Sequence, residues 1–149
     1  MPLVLVDTNI LLRDVDTAHP MHQAVASAVE TLRLRGDILC LVPQNIIEFR
    51  AVATRPLSVN GLGMSQAEAD SEIARLKTLY RLCLDTPYIF GEWERLVSTY
   101  GSAGKQNHDA RIVAAMNIHG ITALLTFNKS DFMRYQHITI WEPTDLVRL

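Results

Sequence analysis

Three short runs of this sequence are apolar from end to end: Val4-Leu5-Val6, Ile38-Leu39-Cys40-Leu41-Val42, and Ala123-Leu124-Leu125 closed by Thr126. A strand with one wet face alternates apolar and polar residues, so a run without alternation marks a strand covered on both faces. Between the runs lie segments with apolar residues at helical spacing. Pro20 to Arg35 carries Met21, Val25, Ala28, Val29 and Leu32, with Pro20 suited to the first turn and Gly36 to the stop. Pro43 opens a helix to about Ala53, ended by Arg55-Pro56, and 56–63 is a loop. Ser65 and Glu68 form a capping box for a helix whose stripe is Ala69, Ile73, Leu76 and Tyr80. Arg81 to Asp85 reads as a short strand, Pro87 to about Tyr100 as a helix, and Gly101 to Gly104 as a loop. Asn107 is expected to cap a helix that Gly120 ends, and Ile138-Thr139-Ile140 a last edge strand.

Apolar strands alternating with helices predict an α/β fold: a three-layer α/β/α sandwich around a central, mostly parallel sheet. At 149 residues, with no repeat or linker, residues 1–149 form a single domain. A hydrophobic fraction of 48 % and a net charge of only −2 exclude a disordered chain. No apolar run approaches the ~20 residues of a membrane-spanning helix. The N-terminal run has no basic leader and is cut short by Asp7, and Cys40 and Cys83 lack metal-ligand spacing. A cytoplasmic protein with two reduced thiols is the expectation. The 14 cations, 11 of them Arg, do not make the chain basic, so a protein that simply coats phosphates is disfavoured.

In parallel sheets, ligands gather beyond the carboxyl ends of strands. Here those positions are acidic. Asp7 follows the first run directly, and Asp131 follows Thr126 in Thr126-Phe127-Asn128-Lys129-Ser130-Asp131-Phe132. Glu48 sits one and a half turns into the helix after the second run, and Asp109 in the first turn of the helix at Asn107. Singly, each acid has an ordinary explanation; a first-turn Asp gains ~0.3–1 kcal/mol from the helix dipole alone. Glu48 is harder to dismiss, because it interrupts the apolar segment Ile46-Ile47-Glu48-Phe49. Clustered carboxylates stay ionised only beside cations. An all-oxygen set without His or Cys fits Mg2+ or Mn2+, ions that activate water for phosphodiester cleavage.

Four pieces in this order resemble the PIN-domain ribonucleases, and among them the VapC toxins of type II toxin–antitoxin modules. They are Leu5-Val6-Asp7-Thr8-Asn9-Ile10-Leu11-Leu12, Pro43-Gln44-Asn45-Ile46-Ile47-Glu48-Phe49, Asn107-His108-Asp109-Ala110-Arg111-Ile112-Val113-Ala114 and Leu125-Thr126-Phe127-Asn128-Lys129-Ser130-Asp131-Phe132. The resemblance implies a metal-dependent endoribonuclease in which Asp7, Glu48 and Asp109 match the metal-binding acids. It implies that Asn9 and Thr126 orient those carboxylates. Many relatives carry an acid where this chain has Asn128, leaving Asp131 as the nearby carboxylate for the fourth catalytic and metal position. The resemblance further implies a homodimer, an RNA substrate and a small VapB-type antitoxin that places an Arg against the acids. Arg13, Lys105, Arg111 and Lys129 border the motifs as candidate phosphate contacts, and Leu57, Val59, Leu62 and Met64 are candidates for exposed partner contacts, with core packing the expected job of most of them.

Two look-alikes fail. The Gly104-Lys105 pair imitates the end of a P-loop, but Thr99 stands at the first Gly position and Gln106 follows the Lys. Asp7-Thr8-Asn9 imitates an aspartyl-phosphate phosphatase, but the second Asp is Asn9. The remaining rival is a PIN-fold module that binds RNA or protein without cutting it. Clustered acids weigh against that reading, since a pure scaffold would be more stable without them.

Overall fold

A computed structural model describes residues 2–146. Its described residues contain a five-stranded sheet in the order β3-β2-β1-β4-β5, with every pair parallel. The strands are β1 (Leu3–Val6), β2 (Ile38–Leu41), β3 (Arg81–Leu82), β4 (Ala123–Leu125) and β5 (Thr139–Trp141). The helices are α1 (Thr8–Val15), α2 (His22–Leu34), α3 (Pro43–Ala53), α4 (Gln66–Leu79), α5 (Ile89–Tyr100), α6 (Gln106–His119) and α7 (Lys129–Phe132). The expected mostly parallel α/β/α sandwich is therefore present, with a wholly parallel sheet.

The absence of alternation in the strands is explained by two separate cores. Val4 and Val6 of β1 face one of them, together with Leu39, Leu41 and Leu125, and pack on Ile10, Leu11, Val25, Leu32, Phe49 and Leu76. Leu5 faces the other, with Cys40 and Leu124, against Leu96, Val113 and Met116 of α5 and α6. A strand side chain that is removed from water here contributes about 1.5–3 kcal/mol relative to its exposed state, on either face. Cys40 and Cys83 are free thiols, and no helix among the described residues is long and apolar enough to cross a membrane.

Winding runs outward from β1 to β2 and β3, then returns to the other side of β1 for β4 and β5. The reversal lies between β1 and β4, whose carboxyl ends stand side by side: the Asp7 amide donates to the Leu125 carbonyl at 2.9 Å. That point is where a doubly wound sheet leaves a crevice.

Several elements depart from expectation. Thr8–Val15 is helical although a short segment containing Asn9 and Asp14 carries little local preference. Burial of Ile10, Leu11 and Leu12 supplies what propensity does not. Asn107 does not cap α6. Helix α6 begins a residue earlier, and the Asn107 amide donates back to the Gly104 carbonyl at 3.1 Å, bracing the preceding turn. The short α7 and a 3-10 turn at Pro143–Leu146 had no periodicity to announce them. Of the four apolar loop residues, Leu57 and Val59 are exposed, whereas Leu62 and Met64 are half-buried against the first core.

The loop after α3 also closes that helix. Leu62 and Met64 amides donate to the Val52 and Ala53 carbonyls at 3.2 and 2.9 Å, satisfying its last turn. Gly61 makes the approach feasible, because a Cβ there would lie 1.9 Å from the Arg55 carbonyl oxygen. Gly61→Ala is expected to cost about 1–3 kcal/mol through forced backbone displacement, read as a lower denaturation midpoint in urea. An unchanged midpoint would contradict the packing described.

Candidate active site

Asp7 ends β1 and caps α1. Its Oδ1 accepts from the Thr8 amide at 2.8 Å and its Oδ2 from the Thr126 hydroxyl at 2.7 Å, the latter from the residue that follows β4. Only 8 % of Asp7 is exposed, so both donors act in a poorly hydrated place. Burial pushes its carboxyl above the usual carboxylate range. The Thr126 and Thr8 hydrogen bonds oppose that rise, and the nearby charges of Glu48 and Asp109 add to it.

Glu48 projects from α3 and is held by two donors. The Thr8 hydroxyl donates to Oε1 at 2.9 Å, and the Gln44 side-chain Nε2 donates to Oε2 at 3.1 Å and to the His108 backbone carbonyl at 3.1 Å. Behind them, fully buried Asn45 accepts from the Val42 amide at 2.9 Å and reaches the Thr8 hydroxyl at 3.4 Å. Asp109 lies in the first turn of α6, where the helix dipole favours an anion. Burial raises its carboxyl too, Lys105 counters that rise, and Asp131 and Glu48 reinforce it.

These side chains border one open cleft of about 370 Å³, lined by Asp7, Asn9, Glu48, Lys105, Asp109 and Asn128, with Thr8, His108 and Arg55 beside them. Three acids separated by 41 and 61 positions in the chain thus face a common space. Asn9 accepts from the Phe127 amide at 3.4 Å, which ties α1 to the loop after β4. The Asn128 amide donates to the Thr126 hydroxyl at 3.0 Å and so fixes the oxygen that holds Asp7. Asp131, expected as the fourth acid, is not among the described residues that line the cleft; it stands 3.2 Å from the Lys105 ammonium.

The basic residues divide. Lys105 belongs to the cleft. Arg111 points to its flank, pairing with Asp85 at 3.2 Å and donating to the Gln44 side-chain Oε1 at 3.4 Å. Arg13 and Lys129 are not among the described residues that line the cleft. Three positioning residues escaped the sequence reading: Thr8, Gln44 and Asn45. Only Gln44 left a legible signal, because a Gln four residues before a Glu faces it on a helix. Burial of Thr8 and Asn45 is a tertiary outcome.

The donor set fits a hard divalent ion. It is all oxygen, partly desolvated, and its carboxylates are braced from behind by hydroxyl and amide donors. Among the described residues, no three His, Cys, Asp or Glu side chains close into a ready-made cage. Mg2+ does not need one, since it keeps several waters and takes one or two carboxylates.

Because native Asp7 holds its proton more tightly than the unfolded chain does, the stability linked to it is complete below the unfolded value, about pH 4, and is lost as pH rises through the native one. In chelator-treated protein, Asp7→Asn is expected to raise the Tm at about pH 7, with the gain vanishing on acidification below about pH 4. Thermal melts at the two pH values check this; a variant that melts lower at neutral pH would contradict it.

Residues 4–138 match the PIN domain family. Ribonuclease VapC24 of Mycobacterium tuberculosis is 25 % identical over 146 residues, which cover 95 % of this chain and 97 % of the relative. Among solved structures, VapBC2 of Rickettsia felis, bound to a DNA fragment from its promoter, superposes with a TM-score of 0.70 at 12 % identity, covering 94 % of this chain and 98 % of that one. VapBC-1 of nontypeable Haemophilus influenzae gives 0.68 at 19 % identity over 95 % and 98 %. M. tuberculosis VapC20, a toxin that cleaves the sarcin–ricin loop, gives 0.62 at 18 % identity over 88 % and 94 %. A parallel sheet in this strand order, an acidic cleft at its point of reversal and a family match across almost the whole length agree: the chain belongs to the PIN domain family.

Proposed function

We propose that this protein is a metal-dependent endoribonuclease, the toxin of a type II toxin–antitoxin module, which cuts RNA phosphodiester bonds and so arrests translation. One observation carries the reading. Asp7, Glu48 and Asp109 come from three distant elements to one open cleft, and the first two are each braced by two hydrogen-bond donors. A scaffold that only bound RNA would have no use for acids that repel both one another and a phosphate. Kinship with a protein named as a ribonuclease supports the same reading.

Asp7, Glu48 and Asp109 would hold Mg2+ or Mn2+, with Asp131 linked to Asp109 through Lys105. Such an ion, when bound by these residues, would supply water activation and positive charge for the leaving oxygen. The chain's own part is preorganisation. Thr126 and the Thr8 amide fix both oxygens of Asp7, and Thr8 and Gln44 fix both oxygens of Glu48, so neither carboxylate must reorient when a ligand arrives. The openness of the cleft suits a single-stranded or looped RNA, whose splayed backbone can enter it. Lys105 within the cleft and Arg111 on its flank would meet phosphates.

Partners follow from the surface. Ile47 on α3 and Phe90 on α5 are 68 % and 66 % exposed and border clefts that share Arg111; Leu84 and Tyr88 adjoin them. This apolar face supports a homodimer. Exposed Leu57 and Val59 suit a small antitoxin, in keeping with the likeness of this chain to VapBC structures.

Freed of its antitoxin, the protein is expected to cut single-stranded RNA with Mg2+ or Mn2+ and to stop in excess EDTA. Thr126→Val should lose roughly 10–100-fold in activity, the usual cost of removing a residue that orients a metal ligand, and Asp7→Asn more than that. Gel analysis of labelled RNA checks both; cleavage that survives EDTA or Asp7→Asn undiminished would overturn the mechanism.

A further inference from the structure

Lys105 differs from the other cations near the cleft. It precedes α6 by one residue, and its Nζ lies 3.4 Å from both oxygens of Asp109 and 3.2 Å from Oδ2 of Asp131. Asp131 belongs to α7, so one ammonium joins carboxylates of two elements. The Lys105 side chain is nevertheless 68 % exposed. Charge holds it there, and packing does not. Exposed pairs of this kind are individually weak and screened by salt, so the contact can be exchanged.

The inner half of the cleft is built differently. Asp7 and Glu48 are braced by neutral donors, from Thr8, Thr126 and Gln44. Among the described residues, no Lys or Arg nitrogen pairs with either of them. Asp109 belongs to both halves: it lines the cleft together with Asp7 and Glu48 and is bonded by Lys105 on its outer side. Phosphodiester-cleaving sites can hold two hard cations about 3.5–4 Å apart, and a carboxylate with an oxygen for each can bridge them. Here the outer side of the bridge already carries a positive charge of the chain's own.

We propose that Lys105 fills the outer cation place of the cleft, so that the chain takes a single divalent ion on the Asp7–Glu48–Asp109 side and supplies the second positive charge as an ammonium. The inference rests on the endoribonuclease reading and deepens it, by deciding how many ions the site accepts. An ammonium is a compact point charge with three donors on a flexible stem. It offsets part of the charge of Asp109 and Asp131 in the absence of any metal.

The test is a Mn2+ titration of the partner-free protein, followed by calorimetry and by electron paramagnetic resonance. The wild-type chain should bind about one ion, with the spectrum of an isolated Mn2+. Lys105→Met, at an exposed side chain, should bind about two, with broadening from a neighbouring spin, and Lys105→Arg should stay at about one. Adding Asp131→Asn to Lys105→Met should remove the second ion again. Two ions in a wild-type chain that cuts RNA would overturn the role of Lys105 and leave the enzyme reading intact. So would a Lys105→Met chain that still binds one ion with unchanged affinity. A wild-type chain that binds no Mn2+ and cuts no RNA would instead overturn the endoribonuclease reading itself.

Discussion

The Thr126 hydroxyl and the Asp7 carboxylate meet at 2.7 Å across 119 positions of sequence, and the rest of the site depends on that contact. It exists because β1 and β4 are parallel neighbours, which brings the residue after each strand to the same end of the sheet. A hydrogen bond to an ionised group is among the stronger ones a protein makes, about 1.5–3 kcal/mol. It is needed here, since burial acts against the charge of Asp7 and two further carboxylates stand close by. Without the sheet order, Asp7 would be a helix cap and nothing more.

The same cleft lies at a seam between the two cores. Glu48 rides on α3, whose Phe49 and Ala53 pack into one core. Asp109 rides on α6, whose Ala110, Ile112 and Val113 pack into the other. Asp7 leaves the sheet that separates them. Each carboxylate is therefore anchored by a different rigid layer, and close packing behind them resists relaxation of the acids away from one another. Gln44 reinforces the seam by bonding both Glu48 and the His108 carbonyl, one residue before Asp109. Such an arrangement sacrifices some stability to keep charges together, a common signature of functional sites.

Much of the fold could be read from the chain. Buried strands announce themselves by lacking alternation, as in Val4-Leu5-Val6, and Pro43 and the Ser65–Glu68 box mark helix starts that the structure retains. Helix α1 and the start of α6 were less legible. In α1, burial overrides weak propensity. In the first turn of α6, a side chain of capping type serves the preceding turn instead. The acids were legible as positions after strands, and Lys105 as a cation near them, but its direct seat between Asp109 and Asp131 was not.

What the sequence determined by itself was periodicity and residue type: which runs become strands, which stripes become helix faces, and that carboxylates follow the strands. Those properties are local, set by side-chain alternation and backbone preference within a few residues. Only the tertiary structure decided which acids share a cleft, that Asn45 and Thr8 stand behind Glu48, and that an ammonium already occupies the outer side of Asp109. The order in which parallel strands pair is settled by burial on both faces of the sheet at once, and no short stretch of chain carries that information.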